Sequence, residues 1–132
     1  IAPGKRPVSS MAPTIVFAGP NTDAPVRLVV GAAGGPRIPT AVLQAIHAHL
    51  AYGADVEQAL ALGRVHHQHL PDVTTFEPFA LDAATQDALR ARGHALEERA
   101  PWANATAIAV DPETGVRTGA ADPRGIGAAV AQ

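Results

Sequence analysis

No cysteine occurs anywhere in the chain, which excludes disulfides, thiolate metal sites and a cysteine nucleophile together. The same absence leaves the compartment open, because such a chain is stable in either redox setting. Charge is also sparse: 17% of residues are charged and the net charge is −2, far from the basic excess of a nucleic-acid binder. No run of like charges forms a polybasic tail or an acidic arm. No apolar run approaches the ~20 residues of a transmembrane helix. No signal peptide is visible, although the chain opens at Ile1 and not at a methionine. Neither nucleic acid nor a membrane is therefore expected as a partner.

What is present suits one globular domain. The 132 residues are 47% hydrophobic, with twelve glycines and twelve prolines, enough for one core and too few for two ordinary domains. The proline-rich stretch Ile1 to Pro13 reads as a loop. Thr14 to Ala18 and Val26 to Val30 are short apolar β-branched runs around turn residues, an expected antiparallel hairpin. The second run leads into Gly31-Ala32-Ala33-Gly34-Gly35. Pro39 and Gly53 mark the two ends of a helix, and Leu43, Ile46 and Leu50 recur along it at helical spacing. Asp55 with Gln58 forms a capping-box pattern for a second helix ending near Gly63. Val73 to Glu77 is an expected strand, Asp82 caps a third helix ending at Gly93, and Ala95 to Glu98 is a further strand. Ala105 to Val110 and Val116 to Ala120 flank the turn Asp111 to Gly115.

The strand runs Ile15-Val16-Phe17, Leu28-Val29-Val30 and Ala107 to Val110 are continuous rather than alternating, which predicts strands covered on both faces. An α+β layered domain follows. Three helices and about six short strands are few for two covered faces, so the chain reads as part of a larger core. Alone, it is expected to fold poorly, with an unpaired sheet edge and an uncovered face.

Several groups of residues are candidates for chemistry. Gly34-Gly35 lies between a strand and a proline-led helix, where backbone N–H groups can converge as an anion nest or oxyanion hole; the plainer reading is a turn needing positive φ. Ser9-Ser10 sits in a proline-bounded loop that can hold a carboxylate, or can simply bond its own backbone. No G-x-S-x-G elbow surrounds either serine. His66, His67 and His69 raise a metal site, yet no pair has helical spacing of four, and structural hydrogen bonding is the expected use. His47 and His49 cannot share a helix face. Arg37 and Arg124 are candidates for buried ion pairs or carboxylate contacts, Asp122-Pro123-Arg124 for tying a chain end into the fold, and Trp102 is expected to pack. Asn104-Ala105-Thr106 matches a glycosylation acceptor but opens an apolar strand. No cofactor is called for.

Taken in order, these segments resemble one family. Lys5-Arg6-Pro7-Val8-Ser9-Ser10-Met11-Ala12-Pro13-Thr14-Ile15-Val16 resembles the K-R-P-L-S-S-M-x-P-T-I-V segment of γ-glutamyltransferases. Gly31 to Ile38 resembles their G-S-P-G-G-S-R-I turn, Arg64 to Asp72 their R-F-H-H-Q-W-L-P-D, and Ala121-Asp122-Pro123-Arg124 their C-terminal A-D-P-R. The resemblance spans almost the whole chain. It implies a single partial domain over residues 1–132, the C-terminal portion of the small subunit, in a four-layer αββα sandwich of the N-terminal nucleophile hydrolase type.

The resemblance implies a precursor that cleaves itself, exposing a threonine nucleophile whose own α-amine serves as general base. The threonine takes the γ-glutamyl group from glutathione or a related amide and passes it to water, an amino acid or a dipeptide. Ser9 and Ser10 match the serines that hold the substrate α-carboxylate, and Gly34 and Gly35 the glycines of the oxyanion hole. The His66-His67-Gln68 segment has no catalytic role in the family. Departures are Ala32-Ala33 for Ser-Pro, Pro36 for serine and His69 for tryptophan. The threonine nucleophile is not among these residues, so the large subunit and the rest of the small subunit are implied partners, and this segment is expected to be inactive alone. A periplasmic or secreted location is also implied. The rival readings are a cephalosporin or glutaryl acylase of the same superfamily, and a non-catalytic or histidine metal-binding domain.

Overall fold

The computed structural model describes residues 2–6 and 9–130; Pro7 and Val8 of the matched serine segment, and Ile1 of the expected loop, lie outside them. Strands β1 (Thr14–Phe17) and β2 (Val26–Ala33) form the expected antiparallel hairpin, with Thr14 opposite Val30. β2 runs past Val30 because β6 (Asn104–Val110) pairs with its small residues, Ala32 opposite Ala105 and Ala33 opposite Asn104. β7 (Arg117–Ala121) completes a four-stranded antiparallel sheet in the order β1-β2-β6-β7.

Helix α1 (Ile38–Tyr52) has Pro39 in its first turn, where a missing N–H costs nothing, and ends at Gly53 with φ 70°. That left-handed cap turns the chain into α2 (Val56–Ala61), shorter than the expected run to Gly63. The capping box is formed: Asp55 Oδ1 accepts from Gln58 N at 2.7 Å, and Gln58 Oε1 accepts from Asp55 N at 3.2 Å. Replacing Asp55 with alanine should remove about 1 kcal/mol of stability. Chemical denaturation of the protein carrying this chain measures it, and an unchanged midpoint would show the cap to be idle.

The two helices cover one face of the sheet. Leu28, Val30, Ala105 and Ala107 pack there against Ile38, Val42 and Ala45 of α1 and Val56 and Leu60 of α2. Leu28 and Leu60 are 1% and 0% exposed, each contributing about 1.5–3 kcal/mol by leaving water. The opposite face is open, in keeping with the uncovered face expected of this chain alone. Ile15, Val29 and Ile108 lie side by side across the ladder and are 55%, 39% and 47% exposed. Burial along β2 and β6 therefore alternates despite their continuous apolar sequence. The C-terminal segment crosses toward this face, with Gly127 against Ala121 and Ala129 against Gly119.

A second, small sheet joins β3 (Val65–His66), β4 (Thr74–Phe76) and β5 (Leu96–Glu98). β3 and β4 are antiparallel. β4 and β5 are parallel, connected through α3 (Ala83–Ala91), whose Asp82 caps it by accepting from Thr85 N at 2.7 Å.

Candidate active site

The glycine pair sits where β2 gives way to a single 3-10 turn, Gly35–Arg37, that runs into α1. Gly34 has φ 156° and ψ 19°, and Gly35 has φ 59°, conformations that favour glycine. Gly34 also has no room for a side chain, since an added Cβ would lie 2.7 Å from Ala103 Cβ and 2.9 Å from Ala103 Cα. Arg37 N donates to Gly34 O at 3.3 Å and closes the turn. Among the described residues, neither the Gly34 nor the Gly35 N–H makes a backbone hydrogen bond. Two adjacent free amides thus stand at the start of α1, where the helix dipole favours negative charge. Pro36 carries no N–H, so no third donor continues the row.

Ser9 and Ser10 leave β1 at the same end of the sheet from which the glycines leave β2, as the pairing of Thr14 with Val30 requires. Ser9 is exposed, and its Oγ accepts from Met11 N at 3.3 Å; Ser10 is half-buried. Arg37, a sequence candidate for an ion pair, instead lies over the ring of Trp102, 4.9 Å from its centroid. Trp102 is buried, as expected, and packs behind the glycine turn beside Ala103.

The residues holding that backing segment were only partly anticipated. Arg64, Glu77, Asp122 and Arg124 form a buried ionic cluster. Arg64 Nη1 donates to both Trp102 O and Ala103 O at 2.9 Å, while its Nη2 pairs with Asp122. Glu77 Oε1 accepts from Trp102 N at 2.8 Å and from Arg124 Nε at 2.9 Å; its Oε2 accepts from Arg64 N at 3.1 Å and from Arg124 Nη2. Asp122 Oδ2 also accepts from Ala105 N at 2.9 Å. Arg124 reaches the α2 end through Leu60 O and Leu62 O, both at 2.8 Å. The sequence marked Arg124 and the Asp122-Pro123-Arg124 tie; Arg64 and Glu77 carried no local signal, because their partners are distant in the chain.

Burial pushes both carboxyl groups up, yet their hydrogen bonds win. Glu77 is held below its ordinary value by Arg124 and the Trp102 and Arg64 amides. Asp122 is held down by the Arg124 and Ala105 amides and both guanidinium groups. Burial lowers Arg124, and its bonds to Glu77 and Asp122 outweigh that and raise it. Glu77, Asp122 and Arg124 are therefore all held in their charged forms at neutral pH.

The histidines are spread out. His66 is buried and bonds Thr40 and Gln68; His67 pairs with Asp72 at 3.0 Å on the surface; His69 has φ 73° and is exposed. Among the described residues, no three His, Cys, Asp or Glu side chains converge as metal ligands. His49 bonds Ala54 O, and His47 meets the Tyr52 ring edge-on. Thr75 is buried in β4, its hydroxyl donating to His66 O. No helix of the described residues is long and apolar enough to cross a membrane.

The arrangement of helices and sheets is the α+β fold of the N-terminal nucleophile hydrolases. It superposes on the gamma-glutamyltranspeptidase of Helicobacter pylori, solved as a point mutant, with a TM-score of 0.85 and 38% identity, over 95% of this chain and 66% of that one. Cephalosporin acylase from Bacillus halodurans is less similar, with a TM-score of 0.69 and 25% identity over 78% of this chain and 19% of that one. The Gamma-glutamyltranspeptidase family profile matches residues 1–132. The glutathione hydrolase proenzyme of Escherichia coli is 39% identical over 127 residues, 96% of this chain and 21% of its own length. The chain belongs to the gamma-glutamyltranspeptidase family. It spans about a fifth of the length of the curated relatives it matches, 21% and 22% for the first two.

Proposed function

We propose that this chain is one partial domain of a γ-glutamyl-transferring or glutathione-hydrolysing enzyme, and that it supplies the oxyanion hole and the carboxylate clamp. The observation that carries this reading is the adjacent pair of Gly34 and Gly35 amides, without a hydrogen-bond partner among the described residues, at the start of α1, with Gly34 packed against Ala103. A nucleophile supplied by the rest of the precursor, a threonine by the family resemblance, attacks the γ-glutamyl carbonyl. Negative charge then develops on the carbonyl oxygen, and the two N–H groups stabilise it. Collapse of the tetrahedral intermediate expels the amine with a proton and leaves the γ-glutamyl ester. Water, an amino acid or a dipeptide then takes the acyl group. Ser9 and Ser10 hold the substrate α-carboxylate throughout, at the same end of the sheet as the glycines. The large subunit and the rest of the small subunit are partners in this reading, glutathione or another γ-glutamyl compound is the donor, and the location is periplasmic or secreted.

The exposed row of Ile15, Val29 and Ile108 supports the need for further polypeptide. The discriminating assay compares hydrolysis of a γ-glutamyl anilide with that of a glutaryl anilide by the full-length protein. The glutaryl compound keeps the terminal carboxylate and lacks only the α-amine. One charge-assisted hydrogen bond lost is worth about 1.5–3 kcal/mol, so the γ-glutamyl anilide should be preferred by at least about tenfold. Equal or faster glutaryl turnover would make the protein an acylase. No turnover of either, with stoichiometric zinc bound, would make it a metal-binding domain.

A further inference from the structure

The glycine turn is connected to the 66–72 loop by a chain of hydrogen bonds that the proposed function does not use. Arg37 N donates to Gly34 O, and Thr40 Oγ1 donates to Arg37 O at 3.1 Å. The same Thr40 oxygen is 2.8 Å from His66 Nδ1. His66 Nε2 is 3.0 Å from Gln68 Oε1, and Gln68 Nε2 donates to Leu70 O at 3.0 Å. The ring is anchored at its own end. His66 is 5% exposed, its carbonyl accepts from Thr75, and Gln44 bonds both Val65 N and Val65 O beside it.

Counting protons shows why the ring matters. Thr40 has one hydroxyl proton. With the ring proton on Nδ1, the ring donates to Thr40, and Thr40 keeps its own proton on Arg37 O. Nε2 then faces Gln68 Oε1 with no proton between two acceptors. With the ring proton on Nε2, Gln68 is satisfied, and Nδ1 competes with Arg37 O for the single Thr40 proton. In the neutral ring, holding the turn and holding the loop are therefore alternatives, and His66 links one to the other.

We infer that His66 is a positioning residue that acts through Thr40 to hold the Gly34–Arg37 turn, and that it couples this turn to the loop carrying His67 and His69. The inference rests on the reading of Gly34 and Gly35 as oxyanion donors. His66 itself touches no substrate in this account; it fixes the geometry of the groups that do.

The test uses the full-length enzyme and the variants His66→Phe, Thr40→Val and Thr40→Ser. Phenylalanine fills the buried slot without ring nitrogens, and valine keeps the shape of threonine without its hydroxyl. Both should lower kcat for a γ-glutamyl anilide on the order of tenfold, with KM little changed, since the lost interaction acts in the transition state. Thr40→Ser should restore kcat. The Gly34 and Gly35 amide resonances should shift in the first two variants and return in the third. Unshifted amides, or kcat equal to that of an active wild type, would overturn the inference. So would a loss of kcat that tracks melting temperature and is not rescued by serine. A wild type with no γ-glutamyl turnover defeats the proposed function instead, while the amide shifts still decide whether His66 holds the turn.

Discussion

Replacing Glu77 with alanine should destabilise the full-length protein by about 3–5 kcal/mol, the cost of stranding a buried charge. Glu77 is 2% exposed and holds Arg64 N, Trp102 N and the Arg124 side chain. Its loss leaves the Arg124 guanidinium with Asp122 as its one acidic partner among the described residues. Asp122→Ala should be of similar size, because it unpairs Arg64 and frees Ala105 N. The two losses should not add, since both carboxylates share Arg124. The pH dependence has a definite sign. Both carboxyl groups lie below their ordinary values in the folded chain, so the unfolded chain binds more protons in acid. Their stabilisation is complete above about pH 4–4.5, the ordinary carboxylate range. It is lost progressively as pH falls through the lower folded values. Denaturant midpoints between neutral pH and strong acid measure this; a wild-type midpoint that does not fall in acid, or an alanine variant as stable as wild type, contradicts it.

Gly34→Ala is the second large effect, and it strikes both stability and turnover. The new methyl would lie 2.7 Å from Ala103 Cβ and 2.9 Å from Ala103 Cα, on a backbone at φ 156°. Backbone strain of this kind costs about 1–3 kcal/mol, and the turn must shift to relieve the clash. If the displaced N–H is an oxyanion donor, kcat should fall about 10²–10³-fold. Gly35→Ala meets no atom within 4 Å and has only its φ of 59° to resist it, so its loss should be smaller. Steady-state kinetics on a γ-glutamyl anilide, with melting temperatures alongside, separate the two positions. Equal losses at both would mean that the contact with Ala103 does not set the turn.

These two sites show which parts of the molecule the sequence could announce. Helix ends were legible because their signals are local: Asp55 bonds Gln58 three residues on, Asp82 bonds Thr85, and Gly53 takes the left-handed cap itself. The β1–β2 hairpin was legible for the same reason. The parallel pairing of β4 with β5 was not, because two short strands joined through a helix carry no sign of which neighbour they choose. The continuous apolar runs of β2 and β6 announced more apolar strand surface than this chain can cover, and only the face toward α1 and α2 is filled here. At the site, the glycine pair announced a turn, but its cause is Ala103, far along the chain. The ionic cluster joins Arg64 to Asp122 across 58 positions and Arg124 to Glu77 across 47, distances over which no periodicity speaks. His66 was expected to serve structural hydrogen bonding rather than a metal, and it is a buried ring bonded to Thr40 and Gln68.

The structure of the full-length protein with a covalent γ-glutamyl analogue on its nucleophile tests the oxyanion hole and the clamp together. The oxyanion-mimicking atom should lie about 2.7–3.1 Å from the Gly34 and Gly35 nitrogens, with the α-carboxylate on Ser9 and Ser10. An analogue whose oxygen is met by other donors, or whose carboxylate lies away from the two serines, would contradict the proposed function.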